Sequence, residues 1–474
     1  MSAYGDLSLV IGEKEINPAP EPGLDVLDVA TATFDQLLDA RLFEPHFQPV
    51  VDLRTGHVVG LEALARGPIE SVYSSSRELF GAAAERGRVA ELDWVCRVAA
   101  FRAVMGADVP PSVSVFVNIE PESLSTPCPP DLKPLLARAE SQLRVFVEIN
   151  DRALTMEPAS LLAAVDRARE LGWGVAVDDV GASRGCLAIL PVIDPDVVKL
   201  DFGLMRTASS SHNAAVVTDV MRYVERTKAS LIAEGLETEA EAAFARALGA
   251  GYGQGHFLGL PGPLEDRYQV PRAAVPVIGH PIKDAPVRTV HDLLEGAGNT
   301  TRVGPRELRR LFRLAVHSCA AAPGRPMVLV NLGPADGILA EDIKLLTEPD
   351  IEAVLLVMFG AGVSASPAPG LRGVRLRPHD PLAQERFIVT LTEDRPSAMV
   401  ARPVPGSSAV FDLVSTYDEA AVQRVARHLV RRMPPRGVKN TALPLPSEPH
   451  ADIVADTPAT SRERRETRFR RLLR

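Results

Sequence analysis

Polar side chains recur where apolar runs end. Glu62 sits in "GLEALAR", Asn118 closes "VFVN", Glu148 closes "VFVE", and Asp178 and Asp179 close "VAVDD". Lys199 and Asp201 end "VVKLD", Glu234 ends "LIAEG", and Gln254 lies in "YGQGHF". One carboxylate at a strand end is commonly a turn former or helix cap. A whole set at equivalent places is hard to explain by capping. Converging carboxylates repel one another unless hard cations sit between them, and all-oxygen ligands suit Mg²⁺ or Mn²⁺ rather than zinc. An aspartate pair with further carboxylates can hold two cations about 3.5–4 Å apart, which clamp both oxygens of an in-line phosphoryl displacement. Lys199 adds a fixed positive charge, and Arg66 can take a phosphate bidentately. The chemistry suggested is metal-assisted hydrolysis of a phosphodiester.

These residues converge only if their strands are parallel and close on one another. Short apolar runs ("FQPVVDL", "VSVFVN", "LRVFVE", "GVAVDD", "DVVKLD", "SLIAEG") alternate with helix-period stretches such as "ASLLAAVDRARELG" and "NAAVVTDVMRYVERTK". Seven or eight such strand–helix units predict a TIM-like (β/α)8 barrel, in which strand C-termini share one face.

At 474 residues the chain is too long for one ordinary core. The expected division is a flexible leader over 1–30, the barrel over 31–265, a proline-punctuated linker over 266–287, a smaller α/β domain over 288–437 and a disordered basic tail over 438–474. The net charge of −9 argues against stable nucleic-acid binding. The four cysteines, Cys96, Cys128, Cys186 and Cys319, form no C-x-x-C pair, which fits a reducing compartment. The N-terminus has no signal-peptide pattern, and the longest apolar run, "AVLLVMFGAGV" at 353–363, is too short to span a bilayer. A soluble, cytoplasmic protein is expected. The two "HD" pairs, His291-Asp292 and His379-Asp380, have no neighbouring ligands and are expected to be capping or surface residues.

"QPVVDLRTGHVVGLEALARG", "VFVNIEPESL", "VFVEIND", "VAVDDVG", "VVKLD", "IAEGLET" and "GQGHFLGLP" resemble, in order, the signature segments of the EAL-domain family over about residues 35 to 265. Members are metal-dependent phosphodiesterases that hydrolyse cyclic di-GMP to linear pGpG. The resemblance implies Glu62, Asn118, Glu148 and Asp178 as metal ligands, with Asp179 at a second metal. It implies Lys199 and Glu234 as the residues that position and activate water, Glu234 being the general base. Asp201 and Gln254 would hold the water network, Gln48 and Arg66 would contact the ligand, and Glu237 would support them. A homodimer through helices near the loop after Asp179 is also implied, and the apolar face of "AAVVTDVMRYV" permits it.

The chain departs from the family pattern after the aspartate pair. Where members usually read D-D-F-G-x-G-Y-S-S, this chain has "DDVGASRGCL": Val180 replaces the aromatic, Ser183 a glycine, Arg184 the tyrosine, and Gly185-Cys186 the serines. Asp151 stands where a glutamate is usual, and Leu260 where arginine is usual. Two readings therefore stay open: an active, slow phosphodiesterase, or a cyclic di-GMP receptor or interaction module with little turnover. Residues 288 to 435 resemble, more loosely, the DICT-type sensory domains, through "VHDLLEGA", "RELRRLFRLAVH" and "DLVSTYDEAAVQRVARHLV". That implies an input role for an unknown ligand or protein.

Overall fold

The computed structural model describes residues 30–181, 186–203, 211–278, 289–320, 325–333, 343–344, 346–347, 353–392, 396–407 and 409–435. The leader up to residue 29, residues 279–287 of the linker, residue 288 and the basic tail lie outside the described residues.

Eight strands close into a barrel: β1 (His46–Asp52), β2 (Val58–Leu64), β3 (Ser114–Asn118), β4 (Val145–Ile149), β5 (Gly174–Val180), β6 (Val197–Asp201), β7 (Ser230–Glu234) and β8 (Tyr252–Gly253). From β2 to β8 neighbours run parallel, and β1 runs antiparallel to both β2 and β8. The mostly parallel barrel expected from the sequence thus has one reversed strand. The reversal puts the beginning of β1 at the face where the other strands end, with Gln48 opposite Glu62.

Alternate residues of each strand face the interior and stack in layers. One layer holds Val50, Phe116, Phe146, Ala176, Val197 and Ile232, all essentially without solvent exposure. Phe116 and Phe146 stack with ring centroids 4.8 Å apart and planes 13° from parallel. A β-carbon at Gly60 or Gly174 would overlap these two rings, so glycine at each position makes room for them. Two positions further along β3, β4, β5, β6 and β7 stand Asn118, Glu148, Asp178, Lys199 and Glu234. The apolar layer is their floor.

The proline-punctuated segment after the barrel also contributes to that floor. Val275 is fully buried against it, and the segment is tied down by hydrogen bonds from Arg144 to the Val275 carbonyl and from the Ile278 N–H to Asp196 Oδ1, 2.6 Å away.

A second, seven-stranded sheet has the order β12-β11-β10-β13-β14-β15-β9, from β9 (Asn299–Val303), β10 (Met327–Asn331), β11 (Leu355–Ala361), β12 (Arg372–Leu376), β13 (Arg386–Leu391), β14 (Ser397–Pro403) and β15 (Phe411–Thr416). One face is covered by helix Pro305–Ala320 through Leu308, Phe312 and Val316. The other carries helix Glu419–Val430, whose Val422, Val425, Ala426 and Leu429 join the same buried cluster as Leu161, Leu162 and Val165 of the barrel helix Pro158–Glu170. The two α/β units share one continuous core. The apolar face of helix Ser211–Thr227 is likewise spent inside the chain, since Val216, Val217 and Val220 are buried in that cluster. Among the described residues, no helix is long and apolar enough to cross a membrane.

Candidate active site

At the strand ends the expected residues come together around one ammonium. Lys199 Nζ is fully buried, 2.6 Å from Glu148 Oε1, 2.7 Å from Glu234 Oε1, 3.1 Å from Asp178 Oδ1 and 3.2 Å from Glu62 Oε2. An ammonium has three N–H bonds and cannot aim them at four carboxylates. Glu148 Oε1 and Asp178 Oδ1 are in fact buried oxygens that receive no aligned hydrogen bond. Asn118 Nδ2 donates to Glu148 Oε2 at 3.2 Å and Glu62 Oε1 at 3.4 Å, while Gln254 Nε2 reaches Glu62 Oε2 at 2.5 Å and Gln48 Oε1 at 3.2 Å. Gln48 in turn donates to the Gly259 carbonyl.

The electrostatics follow from this crowding. Burial, then the neighbouring Glu62, pushes the Glu148 carboxyl well above the ordinary range. Burial also raises Glu234 well above its usual value, reinforced by Asp178 and Glu62. Asp179 is raised by burial and by Asp178 beside it. Burial opposes ionisation of Asp178 too, but Lys199 and hydrogen bonds outweigh it and leave that carboxyl low. Burial disfavours the Lys199 ammonium as well, yet the surrounding carboxylates hold its proton far more tightly than usual.

Among the described residues, two groups of carboxylates can each hold a metal ion: Glu62, Glu148 and Asp178, and Asp178, Asp179 and Glu234, the candidate ligand atoms of each group lying within 4.8 Å of one another. Asp178 belongs to both. The all-oxygen donors, two of them buried oxygens compensated only by the shared Lys199 ammonium, fit hard divalent cations. The backbone at the shared aspartate is irregular. The β5–β6 register shifts between Val177 and Val180, a bulge, and Asp179 has φ +53° in the left-handed region that non-glycine residues rarely adopt. Strain of this kind persists only where the surroundings over-determine it, and it collects at functional sites.

The remaining candidates sit further out. Asp201 is paired in register with Glu234 and accepts from the Gly203 N–H at 2.8 Å. Arg66 is half-buried, with its guanidinium on Ser76 Oγ at 2.6 Å and on the Ala65 carbonyl. Glu237 is exposed just before helix Glu239–Ala247, away from the carboxylate cluster. His256 is exposed. Of the "HD" pairs, Asp380 caps helix Pro381–Gln384 and pairs with Arg432, whereas His291 and Asp292 lie inside helix Val290–Leu293, capped by Thr289, with His291 buried. Of the departures from the family pattern, Val180 is buried and Leu260 is 66% exposed. Ser183, Arg184 and Gly185 lie outside the described residues, as do the side chains of Asp151 and Cys186.

A neighbouring cavity was not foreseen. It has a volume of about 200 Å³ and is lined by Ser76, Phe80, Asp93, Cys96, Arg97 and Asn118, among others. Asp93 is almost fully buried, with Ser123 Oγ 2.5 Å away and Arg97 paired to it, and Arg97 lies 4.2 Å from the Trp94 ring centre. Burial raises the Asp93 carboxyl despite these partners. An Asp and an Arg four apart inside the apolar helix "ELDWVCRVAAF" were the available signal.

The family model described as EAL domain matches residues 31–261. The probable cyclic di-GMP phosphodiesterase PdeB of Escherichia coli is 27% identical over 225 residues, 47% of this chain and 43% of that protein. The bifunctional diguanylate cyclase/cyclic di-GMP phosphodiesterase MucR of Pseudomonas aeruginosa is 25% identical over 237 residues, 48% of this chain and 34% of that one. The chain thus spans less than half the length of either relative. A manganese and cyclic di-GMP complex of BlrP1 from Klebsiella pneumoniae is 26% identical, with a TM-score of 0.41 over 47% of this chain and 56% of that one. Over residues 31–261 the chain is therefore similar to the EAL domain family.

Proposed function

We propose that the barrel hydrolyses cyclic di-GMP to linear pGpG with two divalent cations, Mg²⁺ or Mn²⁺. The observation that carries this reading is Asp178, shared by two carboxylate groups that between them surround a buried lysine. In this reading Glu62, Asn118, Glu148 and Asp178 hold one cation, and Asp179 joins Asp178 at the other. Bound cations would supply a water of lowered pKa and charge stabilisation at both reacting oxygens. Lys199 orients that water, and Glu234 takes its proton. Gln48 and Arg66 bind the phosphate, with Gln254 and Asp201 holding the surrounding waters and Glu237 supporting them from the periphery.

A receptor with little turnover is the second reading, favoured by the changed sequence "VGASRGC" after the aspartate pair. Regulation by a sensory domain over 288–437, homodimerisation and a cytoplasmic location complete the proposal. The test is cyclic di-GMP turnover by the purified chain with Mg²⁺ or Mn²⁺, alongside Glu62→Ala and a binding titration. Release of pGpG that is lost in Glu62→Ala supports the enzyme, and tight binding without turnover supports the receptor. Neither binding nor turnover overturns both.

A further inference from the structure

Helix Cys186–Ile193 is the first helix after the strained aspartate pair, and only a short connection separates it from Asp179. It is a weak helix in isolation: eight residues long, with Pro191 inside it. Its position must therefore come from what it touches. Ile189, Leu190, Val192 and Ile193 are buried, so its last carbonyls cannot be satisfied by water. Asp194, just past its end, has φ +55°, a left-handed stop made without glycine.

Two buried arginines meet those carbonyls. Arg169, from helix Pro158–Glu170, donates to the Ile193 carbonyl at 3.1 Å and to that of Asp194. Arg427, from helix Glu419–Val430, donates to the Val192 carbonyl and lies 3.5 Å from that of Ile193. Arg427 is 3% exposed and Arg169 4%. Arg427 is itself held by Asp166 Oδ1 at 3.2 Å, whose other oxygen takes Arg431 at 2.6 Å. A guanidinium at a helix C-terminus also faces the negative end of the helix dipole. So the anchor of this helix is divided: one arginine comes from the barrel, and the other reaches in from the second sheet's helix.

We infer that Arg427 is a positioning residue for the Asp178–Asp179 pair, acting through helix Cys186–Ile193. By fixing the far end of that helix it helps hold the left-handed turn at Asp179, and it makes the C-terminal unit part of the metal centre's support. The inference rests on the reading of the carboxylate cluster as a metal centre.

The test is Mn²⁺ titration of the full chain, with thermal unfolding measured in parallel. Supports one step removed from ligands typically change metal affinity 10- to 100-fold. Arg427→Met keeps length and apolar packing but loses both carbonyl contacts, and its Mn²⁺ dissociation constant is expected to rise about tenfold. Arg427→Lys can serve one carbonyl and should fall between Met and the unaltered chain, and it carries the test if Arg427→Met does not fold. Glu419→Gln breaks the exposed Arg226–Glu419 ion pair (2.5 Å) that joins the same two units without touching the helix, and should leave the constant within twofold. No Mn²⁺ binding by the unaltered chain overturns the metal-centre reading and this inference with it. Normal Mn²⁺ binding by a folded Arg427→Met overturns the inference alone, as does an equal loss in Glu419→Gln.

Discussion

At one depth of the barrel Phe116 and Phe146 stack, Val197 and Ile232 close around them, and Val275 seals them from below. Two residues further along the same strands, Asn118, Glu148, Lys199 and Glu234 crowd into a layer whose carboxylates outnumber its ammonium, so that several buried oxygens share one Lys199. The lower layer is satisfied by contact alone. The upper one is left short of donors by its residue types, and its backbone is irregular around Asp178, which both carboxylate groups use, and left-handed at Asp179 next to it. Identical strand geometry serves both, so side-chain chemistry makes the difference. Packing energy in the lower layer is what permits repulsion in the upper one.

The comparison breaks most visibly at the aromatic floor. Phe146→Ala should destabilise the protein by about 3–5 kcal/mol, seen as a large drop in the unfolding midpoint. The same variant, where folded, should keep its Mn²⁺ affinity within a few-fold; a complete loss would mean the two layers are not separable. Asp178→Asn should do the opposite. Because Asp178 serves both carboxylate groups, Mn²⁺ affinity is expected to fall more than about a hundredfold with little change in melting of the metal-free chain. Titration calorimetry checks this. Val275→Ala should cost about 2 kcal/mol, as a loss of two buried methyl groups would. An effect near zero would show that the segment after the barrel is a tether rather than part of its floor.

The polar layer was legible because its members stand at matching ends of apolar runs, with alternation fixing which side chains face inward. Glu62, Glu148 and Lys199 could be placed from "GLEALAR", "VFVE" and "VVKLD" before any coordinate. The floor was harder to see, for Phe116 and Phe146 look like any strand aromatics. Val275 was hidden by the prolines around it, which read as a linker although the segment is pinned by Arg144 and Asp196. The antiparallel β1 leaves no trace in periodicity, since a strand's alternation is the same in both directions. Helix Glu419–Val430 was visible as an amphipathic segment, but nothing in it says that its arginine satisfies carbonyls more than two hundred residues away. Exposed Glu237 was less legible: the motif "EGLE" places an acid close to Glu234 in sequence, and the chain leading into helix Glu239–Ala247 leaves it facing solvent.

The smallest expected effect concerns pH. Burial holds Glu148 and Glu234 well above the ordinary carboxylate value of 4.5, so the metal-free folded state keeps protons that the unfolded chain has already released. A carboxyl raised on folding contributes stability that is complete below its unfolded value and is lost as pH rises toward its folded one. The metal-free chain, prepared with a chelator, should therefore lose stability as pH rises from about 4.5 through the raised values of these two groups. Glu148→Gln, which removes one of the two protonated groups, should flatten that slope and melt higher than the unaltered chain at pH 8 by about 1 kcal/mol of stability. Mn²⁺ must displace the same protons, so affinity should climb with pH across the same interval, by up to about one decade per pH unit for each proton released. Melting curves that are flat in pH, together with an affinity that does not rise, would mean that Lys199 alone neutralises the layer and that its carboxylates stay ionised without a cation.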